Sequence, residues 1–286
     1  MTAMPFWKMH GTGNDFVLME SDKLDADWPG LAHRICDRHF GVGADGLIVA
    51  FPSAVADRRM RIFNPDGSEP EMCGNGIRCF VKYLLDRGSA QARDGVLRIQ
   101  TEAGVLEARA TRDAAGLVQT VRVAMGAPRL RPQDIGALVE MPAPVRDLPL
   151  IAADEPLALT LVSIGNPHAV HFLGASPDGF DLERIGPAVE HDPLFVHRTN
   201  FEVVQVRDRA HMDMRVWERG AGLTLSCGTG ACAAVVAARL HDRVDDEVEV
   251  RLPGGSLRIT WDGAGEVYLE GPAARVFESV WEDGQP

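Results

Sequence analysis

Two short turns, each led by a cysteine, decide the predicted fold: Cys73-Gly74-Asn75-Gly76 and Cys227-Gly228-Thr229-Gly230. Each turn opens an apolar segment with helical periodicity, Gly76–Asp86 in the first case and Thr229–Leu240 in the second. Because these segments are apolar around most of their circumference, we expect both helices to be buried. A motif that recurs about one domain length along the chain predicts two topologically similar halves, each presenting one such turn.

The sequence around these turns is dominated by predicted strands. Segments in which apolar and polar residues alternate outnumber helical ones, and Gly, Asp or Pro separates most of them. Only one more helix is predicted, the short amphipathic segment Trp28–Asp37. Many strands with a few buried helices indicate the α+β class. The predicted strands are Met60–Phe63, Val96–Thr101, Thr120–Val123, Phe201–Val206, Met212–Trp217, Glu247–Leu252, Leu257–Trp261 and Glu266–Glu270.

The boundary between the two halves is predicted near Val121–Pro128, where a strand runs into the sequence Met125-Gly126-Ala127-Pro128. We expect an N-terminal half made of residues 1–120 plus 273–286, which carries the first cysteine turn. The C-terminal half is expected to span residues 121–272 and to carry the second.

Composition excludes several classes of protein. The chain has 286 residues and a formal net charge of −12, which argues against a broad basic face for nucleic acid. No apolar run reaches the roughly 18–20 residues that cross a bilayer, and the start lacks a signal-peptide pattern. Five cysteines in a chain of this length do not suggest a secreted disulfide framework. We therefore expect a cytoplasmic enzyme or binding protein with reduced thiols.

The two cysteine turns suggest a particular chemistry. A helix directs unsatisfied N–H groups and the positive end of its dipole at the residues before it. A thiol there has its anion favoured, so we expect its pKa to fall below the free value of about 8.5. The same N–H groups can hold a carboxylate. Two facing cysteines could remove a proton from one face of a carbon and return one to the other, which inverts a stereocentre without metal or organic cofactor.

Eight stretches, two of which contain the cysteine turns, carry a resemblance to a known family. The chain resembles diaminopimelate epimerases, and the matching motifs occur in the same order from its first residues to about Cys232. The matching stretches are Lys8–Phe16, Gly41–Gly46, Asn64–Ser68, Met72–Cys79, Gly165–His168, Thr199-Asn200, Glu218–Gly220 and Ser226–Ala233. The resemblance implies a two-domain fold, each half a mixed β-sheet or barrel wrapped around a central helix. It also implies cofactor-independent interconversion of LL- and meso-2,6-diaminopimelate, a step towards lysine and peptidoglycan precursors.

The resemblance also implies roles for individual residues, with Cys73 and Cys227 as the acid and base. His168 and Glu218 would act near the reacting centre and its amine, and Asn14 would line the pocket. Some relatives carry Gln where this chain has Gly46, so Gly46 is given no side-chain contact. Donors to the reacting carboxylate would be Gly74, Asn75, Gly228 and Thr229, and the distal amino-acid end would be held by Asn64, Asn166, Asn200 and Arg219. The expected partner is this small molecule, and a homodimer is compatible with the family.

Three other functions remain open from the sequence. A proline-type racemase or epimerase would share the fold, although that family tends to carry His where this chain has Asn75. A thiol redox or metal-binding protein would use the cysteines differently, but no Cys-x-x-Cys pair exists. A non-catalytic binding module would leave both turn cysteines dispensable. The remaining cysteines, Cys36, Cys79 and Cys232, are interpreted as core packing or given no role.

Overall fold

The computed structural model describes residues 3–70 and 72–282 of the chain. The chain divides into two compact units, residues 1–123 with 270–286 and residues 124–269. Both ends of the predicted N-terminal half, residues 1–2 and 283–286, lie outside the described residues, as does Glu71 in the loop before the first cysteine turn.

The elements follow one another in chain order, and most are strands. The first unit contains β1 (Ala3–Gly11), β2 (Asn14–Glu20), α1 (Trp28–Ile35), β3 (Gly46–Phe51), β4 (Arg58–Phe63), α2 (Gly74–Arg87), β5 (Leu97–Thr101), β6 (Gly104–Arg112) and β7 (Val118–Ala124). The second contains α3 (Pro132–Ile135), β8 (Leu148–Ala152), β9 (Glu155–Ser163), β10 (Pro167–Leu173), a 3₁₀ turn (Pro177–Gly179), α4 (Leu182–Glu190), β11 (Asn200–Asp208), β12 (His211–Glu218), β13 (Gly222–Thr224), α5 (Gly228–Leu240), β14 (Glu247–Leu252) and β15 (Gly255–Thr260). Strands β16 (Tyr268–Pro272) and β17 (Ala274–Glu282) complete the described chain.

Strand pairing shows that the two units repeat one topology. In the first unit β1–β2 is antiparallel, β2–β3 parallel, β3–β4 antiparallel, β4–β5 parallel and β5–β6 antiparallel. The second unit gives the same alternation in the pairs β9–β10, β10–β11, β11–β12, β12–β14 and β14–β15. The helices α2 and α5 each follow the fourth strand of this series, in the second unit after the short β13. The pseudo-symmetry predicted from the twin turns is therefore present in the topology.

Both of these helices are the buried centres of their units. Every residue of α2 from Gly74 to Leu85 is buried, and in α5 every residue from Gly228 to Ala238 is buried. Helix α2 ends at Gly88, whose φ of 73° is the left-handed conformation that glycine adopts without a steric penalty. Helix α5 is built largely of Ala and Val, and such small side chains let neighbouring strands approach its axis closely.

The structure confirms the three predicted helices and adds two that the sequence analysis missed, the four-residue α3 and the longer α4. Helix α4 starts after Asp181 and buries Leu182, Ile185 and Val189, which are spaced to share one face. Pro187 lies inside it. A proline normally interrupts a helical pattern, so the segment was not recognised as a helix. The α+β class is confirmed.

An acid-sensitive ion cluster joins the first two strands of the first unit to the loop before β3. Arg38 donates to Asp15 Oδ1 at 2.8 Å, and Lys8 also bonds this carboxylate. Burial raises the pKa of Asp15, but the hydrogen bonds from Arg38 and Lys8 outweigh it and lower the pKa to about 2. The carboxylate therefore stabilises the folded state above its unfolded pKa of about 3.9, and this contribution is lost as the pH falls towards 2.

We expect Asp15→Asn to lower the free energy of unfolding by about 1–2 kcal/mol at about pH 7, because the ionised carboxylate is lost. The difference from the unchanged protein should shrink steadily between about pH 4 and about pH 2, where Asp15 becomes protonated in the unchanged protein too. Denaturant unfolding at several pH values measures this, with the exposed Asp22→Asn as control. A deficit that does not change with pH would contradict the assignment.

Candidate active site

The first cysteine turn places a sulfur at the N-terminus of α2. Cys73 is the N-cap residue, with extended backbone (φ −138°, ψ 117°), and its side chain is half-buried. The Gly76 N–H donates to Cys73 Sγ at 3.4 Å, and the thiol lies 3.7 Å from Asn14 Oδ1. The sulfur therefore takes the place that a Ser, Thr or Asp oxygen usually occupies at a helix start.

Two asparagines predicted for the site lie beside this sulfur. Asn14 Nδ2 donates to Asp45 Oδ2 at 2.7 Å, which orients the amide so that its oxygen faces Cys73. The same oxygen accepts from Asn75 Nδ2 at 3.4 Å. The structure thus brings the candidate residues Asn14, Cys73 and Asn75 together at the start of α2.

A buried arginine that the sequence analysis did not single out lies at the same helix end. Arg78 is fully buried in α2, and its guanidinium donates to Gly74 O at 2.9 Å and to Thr12 Oγ1 at 3.1 Å. It therefore places a permanent positive charge against the carbonyl of Gly74, the residue that follows Cys73. The sequence did contain a sign of this role, because Arg78 lies within the apolar helical run Ile77–Leu85. A charge buried in such a helix requires hydrogen-bond partners.

The second cysteine turn places a sulfur in a different electrostatic environment. Cys227 is the N-cap residue of α5, with extended backbone (φ −124°, ψ 113°) and 4% exposure. Its Sγ lies 3.5 Å from Thr229 Oγ1. The Glu218 carboxylate, at the end of β12, accepts from Thr224 Oγ1 and lies close enough to Cys227 to affect the pKa of its thiol.

The charges around Cys227 overturn one expectation from the sequence. Burial raises the pKa of the Cys227 thiol well above its usual value, and the carboxylates of Glu218 and Glu202 raise it further. Burial likewise raises the pKa of Glu218. The predicted lowering of the thiol pKa is wrong for Cys227, because desolvation and two nearby negative charges outweigh the favourable helix end.

A hydrogen-bonded series of side chains runs from a buried histidine towards this sulfur. His168 Nδ1 lies 2.7 Å from Glu202 Oε1, and His168 Nε2 lies 2.9 Å from Asn166 Oδ1. Asn166 Nδ2 in turn donates to Thr229 Oγ1 at 3.2 Å. The predicted site residues His168, Asn166 and Thr229 are therefore assembled next to Cys227.

Glu202 belongs to this cluster, although the sequence analysis did not select it. Its side chain is fully buried, and it lies on β11 between Phe201 and Val203, which are also buried. The sequence signal was a single charged residue within an otherwise apolar strand start. The alternation of polar and apolar residues predicts a strand there but does not by itself show that Glu202 is buried.

The distal set predicted from the family is only partly brought together. Asn200 accepts from the Arg219 backbone N–H at 2.9 Å and donates to Pro167 O at 2.8 Å, which fixes the end of β12 against the start of β10. The exposed Arg219 guanidinium donates to His197 O at 3.0 Å. Asn64 lies in the first unit, where its side chain donates to Ser68 Oγ at 2.9 Å in a tight turn.

The three cysteines outside the two turns are free thiols in the interior. Cys36, Cys79 and Cys232 are buried, and burial raises the pKa of Cys36 and of Cys79 to about 12.

Within residues 3–70 and 72–282, no group of three or more His, Cys, Asp or Glu side chains could hold a metal ion. In the same ranges no helix is long and apolar enough to span a membrane.

The first turn of α5 tolerates no side chain at Gly230. A Cβ there would lie 2.7 Å from Glu202 Oε1 and 3.3 Å from Cys227 Sγ. At the equivalent Gly76 of α2, a Cβ would meet the Ile48 Cδ1 methyl at 3.0 Å. The Ile48 end can shift, whereas the Glu202 carboxylate is held by His168.

We therefore expect Gly230→Ala to lower the free energy of unfolding by about 1–3 kcal/mol and the matched Gly76→Ala to lower it less. Chemical denaturation of the two variants measures the difference. An equal or larger loss in Gly76→Ala would show that the contact with Glu202 does not limit this position.

Comparison with known proteins places this geometry in a family. A sequence model described as diaminopimelate epimerase matches residues 6–131 and 160–276. The diaminopimelate epimerase of Moorella thermoacetica is 50% identical over 277 residues, which cover 96% of this chain and 98% of that protein. The diaminopimelate epimerase of Synechocystis sp. is 48% identical over 285 residues, which cover 98% and 99%.

Solved structures share the fold at much lower identity. A PhzF-family phenazine biosynthesis protein of Bacillus anthracis has a TM-score of 0.72 at 20% identity, covering 99% of this chain and 100% of that one. A hydroxyproline epimerase from Agrobacterium vitis has a TM-score of 0.71 at 16% identity, covering 97% and 92%. These likenesses support the two-domain α+β fold, and the sequence matches identify the family. The chain belongs to the diaminopimelate epimerase family.

Proposed function

We propose that this chain is an isomerase that interconverts LL- and meso-2,6-diaminopimelate by two-base proton transfer between Cys73 and Cys227. The observation that carries the proposal is the equivalent placement of the two cysteines, each an extended N-cap residue of the buried helix in its unit. The near full-length relatives named diaminopimelate epimerase support the same substrate. The reaction belongs to lysine and peptidoglycan-precursor biosynthesis.

The surroundings of the two sulfurs favour different resting protonation states. Cys227 rests as a thiol, because burial and the Glu218 and Glu202 carboxylates oppose its anion. Cys73 accepts a backbone N–H at the helix start, and the buried Arg78 cation bonds the carbonyl of the next residue, Gly74, so a thiolate at Cys73 has favourable neighbours. We therefore assign Cys73 as the base and Cys227 as the acid for the first turnover of the resting enzyme.

The proposed reaction moves one proton off and one proton onto the substrate α-carbon. The Cys73 thiolate takes the α-proton and becomes a thiol, and the electron pair of the broken C–H bond spreads into the adjacent carboxylate. The Cys227 thiol then gives its proton to the opposite face and becomes a thiolate. N–H groups in the first turns of α2 and α5 would stabilise the negative charge on the carboxylate. This stabilisation would take the place of an electron-accepting cofactor.

The remaining site residues recognise the substrate in this proposal. Glu218 and His168 lie near the acid and would orient the reacting centre and its ammonium group. The exposed Arg219 guanidinium would bind the distal carboxylate as a bidentate fork. Asn200 supports this role because it holds the Arg219 backbone in place. Asn64 and Asn166 would complete the distal contacts, and Asn14 would line the pocket beside Cys73.

Replacement of either cysteine tests the proposal. We expect Cys73→Ala or Cys227→Ala to slow solvent-deuterium incorporation at the α-carbon of LL-diaminopimelate by about a hundredfold to ten-thousandfold, because one acid–base partner is missing. Circular dichroism should show an unchanged fold. Mass spectrometry of the product in deuterium oxide measures the incorporation.

The controls separate the alternatives that share this fold. Proline serves as the second substrate, and exchange with proline but not diaminopimelate would favour a proline-type racemase. A Cys73→Ser or Cys227→Ser variant should still eliminate HX from an analogue with a β-leaving group, since elimination needs only one base. Near-normal epimerisation by either Cys→Ala variant would refute the two-base proposal.

Removal of the Glu218 charge tests the assignment of Cys227 as the resting acid. In Glu218→Gln the Cys227 pKa should fall, because a neighbouring negative charge that opposes the thiolate is replaced by a neutral amide. At a fixed pH of about 8, alkylation of Cys227 by iodoacetamide should become about threefold to tenfold faster, since the thiolate is the nucleophile. Peptide mass spectrometry resolves Cys227 from Cys73. A slower or unchanged rate would contradict the assignment.

A further inference from the structure

The last residue of α4, Glu190, is a buried carboxylate that the mechanism above does not use. Its exposure is 3%. A negative charge at the C-terminal end of a helix is unfavourable, because the helix dipole is negative there. The helix therefore gives no reason for a carboxylate at this position. A buried charge requires partners, and the side-chain partners of Glu190 lie outside α4.

Both oxygens of this carboxylate bond the turn between β12 and β13. Trp217 Nε1 donates to Glu190 Oε2 at 2.7 Å, and the Gly220 N–H donates to Glu190 Oε1 at 2.9 Å. Burial raises the pKa of Glu190, but the hydrogen bonds from Trp217 and Gly220 outweigh it and lower the pKa. The direction of both bonds is fixed, because these N–H groups only donate and a carboxylate only accepts. The two bonds bracket Glu218 and Arg219, which lie between Trp217 and Gly220 in the chain.

The bond to Gly220 selects one orientation of a peptide in this turn. The Ala221 N–H donates to Glu218 O at 3.1 Å, which closes a β-turn with Arg219 and Gly220 at its centre. Gly220 has a φ of 76°, as the third residue of a type II turn requires. Rotation of the peptide between Arg219 and Gly220 would give a type I turn instead, and its N–H would then leave Glu190.

The peptides on both sides of Arg219 are held by side chains. The Arg219 N–H donates to Asn200 Oδ1 at 2.9 Å, and the next N–H along the chain, that of Gly220, donates to Glu190. The Cα–Cβ bond of Arg219 therefore has a defined direction before any ligand arrives. Less conformational entropy is then lost when the guanidinium binds an anion.

Glu190 also bears on the place where the Arg219 guanidinium rests. Glu190 Oε1 lies 3.5 Å from Arg198 Nη1. Arg198 follows His197, whose carbonyl accepts from Arg219 Nη1 at 3.0 Å. This contact uses one of the five N–H groups of the guanidinium and leaves others for a carboxylate ligand. Glu190 is thus linked to Arg219 along two routes, through the Gly220 N–H and through Arg198.

We propose that Glu190 is a positioning residue that fixes the turn presenting the Arg219 guanidinium to the distal carboxylate of the substrate. The inference rests on the proposed function, which assigns Arg219 to that carboxylate. Glu190 orders Arg219 before the substrate binds, so its contribution is the same in the ground state and in the transition state. Its loss should therefore raise KM and leave kcat nearly unchanged.

The first experiment measures the kinetics of Glu190→Gln with LL-diaminopimelate. Glutamine keeps the size of the side chain, but its single amide oxygen faces two donors, so one bond is lost. We expect KM to rise by about threefold to tenfold, while kcat changes by less than about twofold. Asp213→Asn, which neutralises a buried carboxylate paired with Arg251 in the same unit, is the matched control and should leave KM unchanged. An unchanged KM in Glu190→Gln would overturn the proposal.

A double-mutant cycle tests whether the effect passes through Arg219. Arg219→Met keeps much of the length of the side chain but has no N–H donors. In this background Glu190→Gln should lower kcat/KM by less than about twofold, because the group that it positions is already gone. An undiminished loss of kcat/KM would show that Glu190 acts on binding by another route and would refute the proposal.

Two variants of Gly220 perturb the same peptide and leave Glu190 in place. Gly220 is exposed, and a Cβ there would meet no heavy atom within 4 Å beyond its chain neighbours, so only the positive φ opposes a side chain. Gly220→Ala should favour the type I turn and raise KM as Glu190→Gln does, whereas Gly220→Asn tolerates the left-handed conformation and should raise it less. This pair carries the test if Glu190→Gln does not fold. The KM of the unchanged protein in Gly220→Ala would contradict the proposal.

A measurement without substrate separates this inference from the proposed function. Hydrogen exchange followed by NMR should show the Gly220 amide protected in the unchanged protein and in Asp213→Asn, and exchanging at least about tenfold faster in Glu190→Gln. Equal exchange in all three proteins would overturn the inference even if diaminopimelate is epimerised. Faster exchange in Glu190→Gln, in a protein that neither binds nor epimerises diaminopimelate, would support the hold on the turn and refute the proposed function alone.

Discussion

A sulfur at the cap position of a buried helix is the arrangement on which the structure depends. Helix caps are usually Ser, Thr, Asp or Asn, whose oxygen satisfies first-turn N–H groups. Sulfur is a weaker acceptor than these oxygens, so the Gly76 N–H that donates to Cys73 Sγ is held less tightly than at a usual cap. Burial of the helix keeps water from screening its dipole. In each unit the strands pack around a buried central helix. Because the two units repeat the same strand order, each of these helices begins at a cysteine in the equivalent position.

The two caps share a backbone conformation but not a charge environment. Arg78 is buried one turn into α2, whereas Glu202 and Glu218 lie against the start of α5. A two-base racemase needs one protonated and one deprotonated partner at rest, and identical surroundings would not choose between them. In the proposed mechanism, the side chains around each cap would make this choice, and the repeated fold would supply the backbone geometry.

Short-range sequence patterns were enough to predict the two cysteine turns, the helices that follow them and most of the strands. The glycine turns, the apolar helices behind them and the alternating strands all follow from short-range patterns, and the structure contains them. Helix α4 was missed because Pro187 contradicts its periodicity, although packing of its apolar face offsets the local penalty. The halves were predicted as similar from one repeated motif, and the strand pairing shows how far that repeat extends.

The site was harder to predict where it depends on long-range burial. The structure brings Cys73, Asn14 and Asn75 together at one helix start and Cys227, Thr229 and His168 at the other, while their roles stay predictions. The pKa direction of Cys227 was wrong because helix polarity is visible in the sequence, while burial and the approach of Glu202 are not. Glu202 lies 25 residues before its neighbour Cys227 in sequence, and no local pattern links a strand carboxylate to a helix start that far away.

The path of the chain also sets an order of events during synthesis. Strand β1 pairs with β17 over almost its whole length, so the sheet of the first unit joins strands that precede and follow the second unit in the chain. The second unit is one uninterrupted stretch, residues 124–269, with its own core. On the ribosome this stretch can therefore finish folding first, while the N-terminal strands wait, with one edge unpaired, for the last strand to emerge.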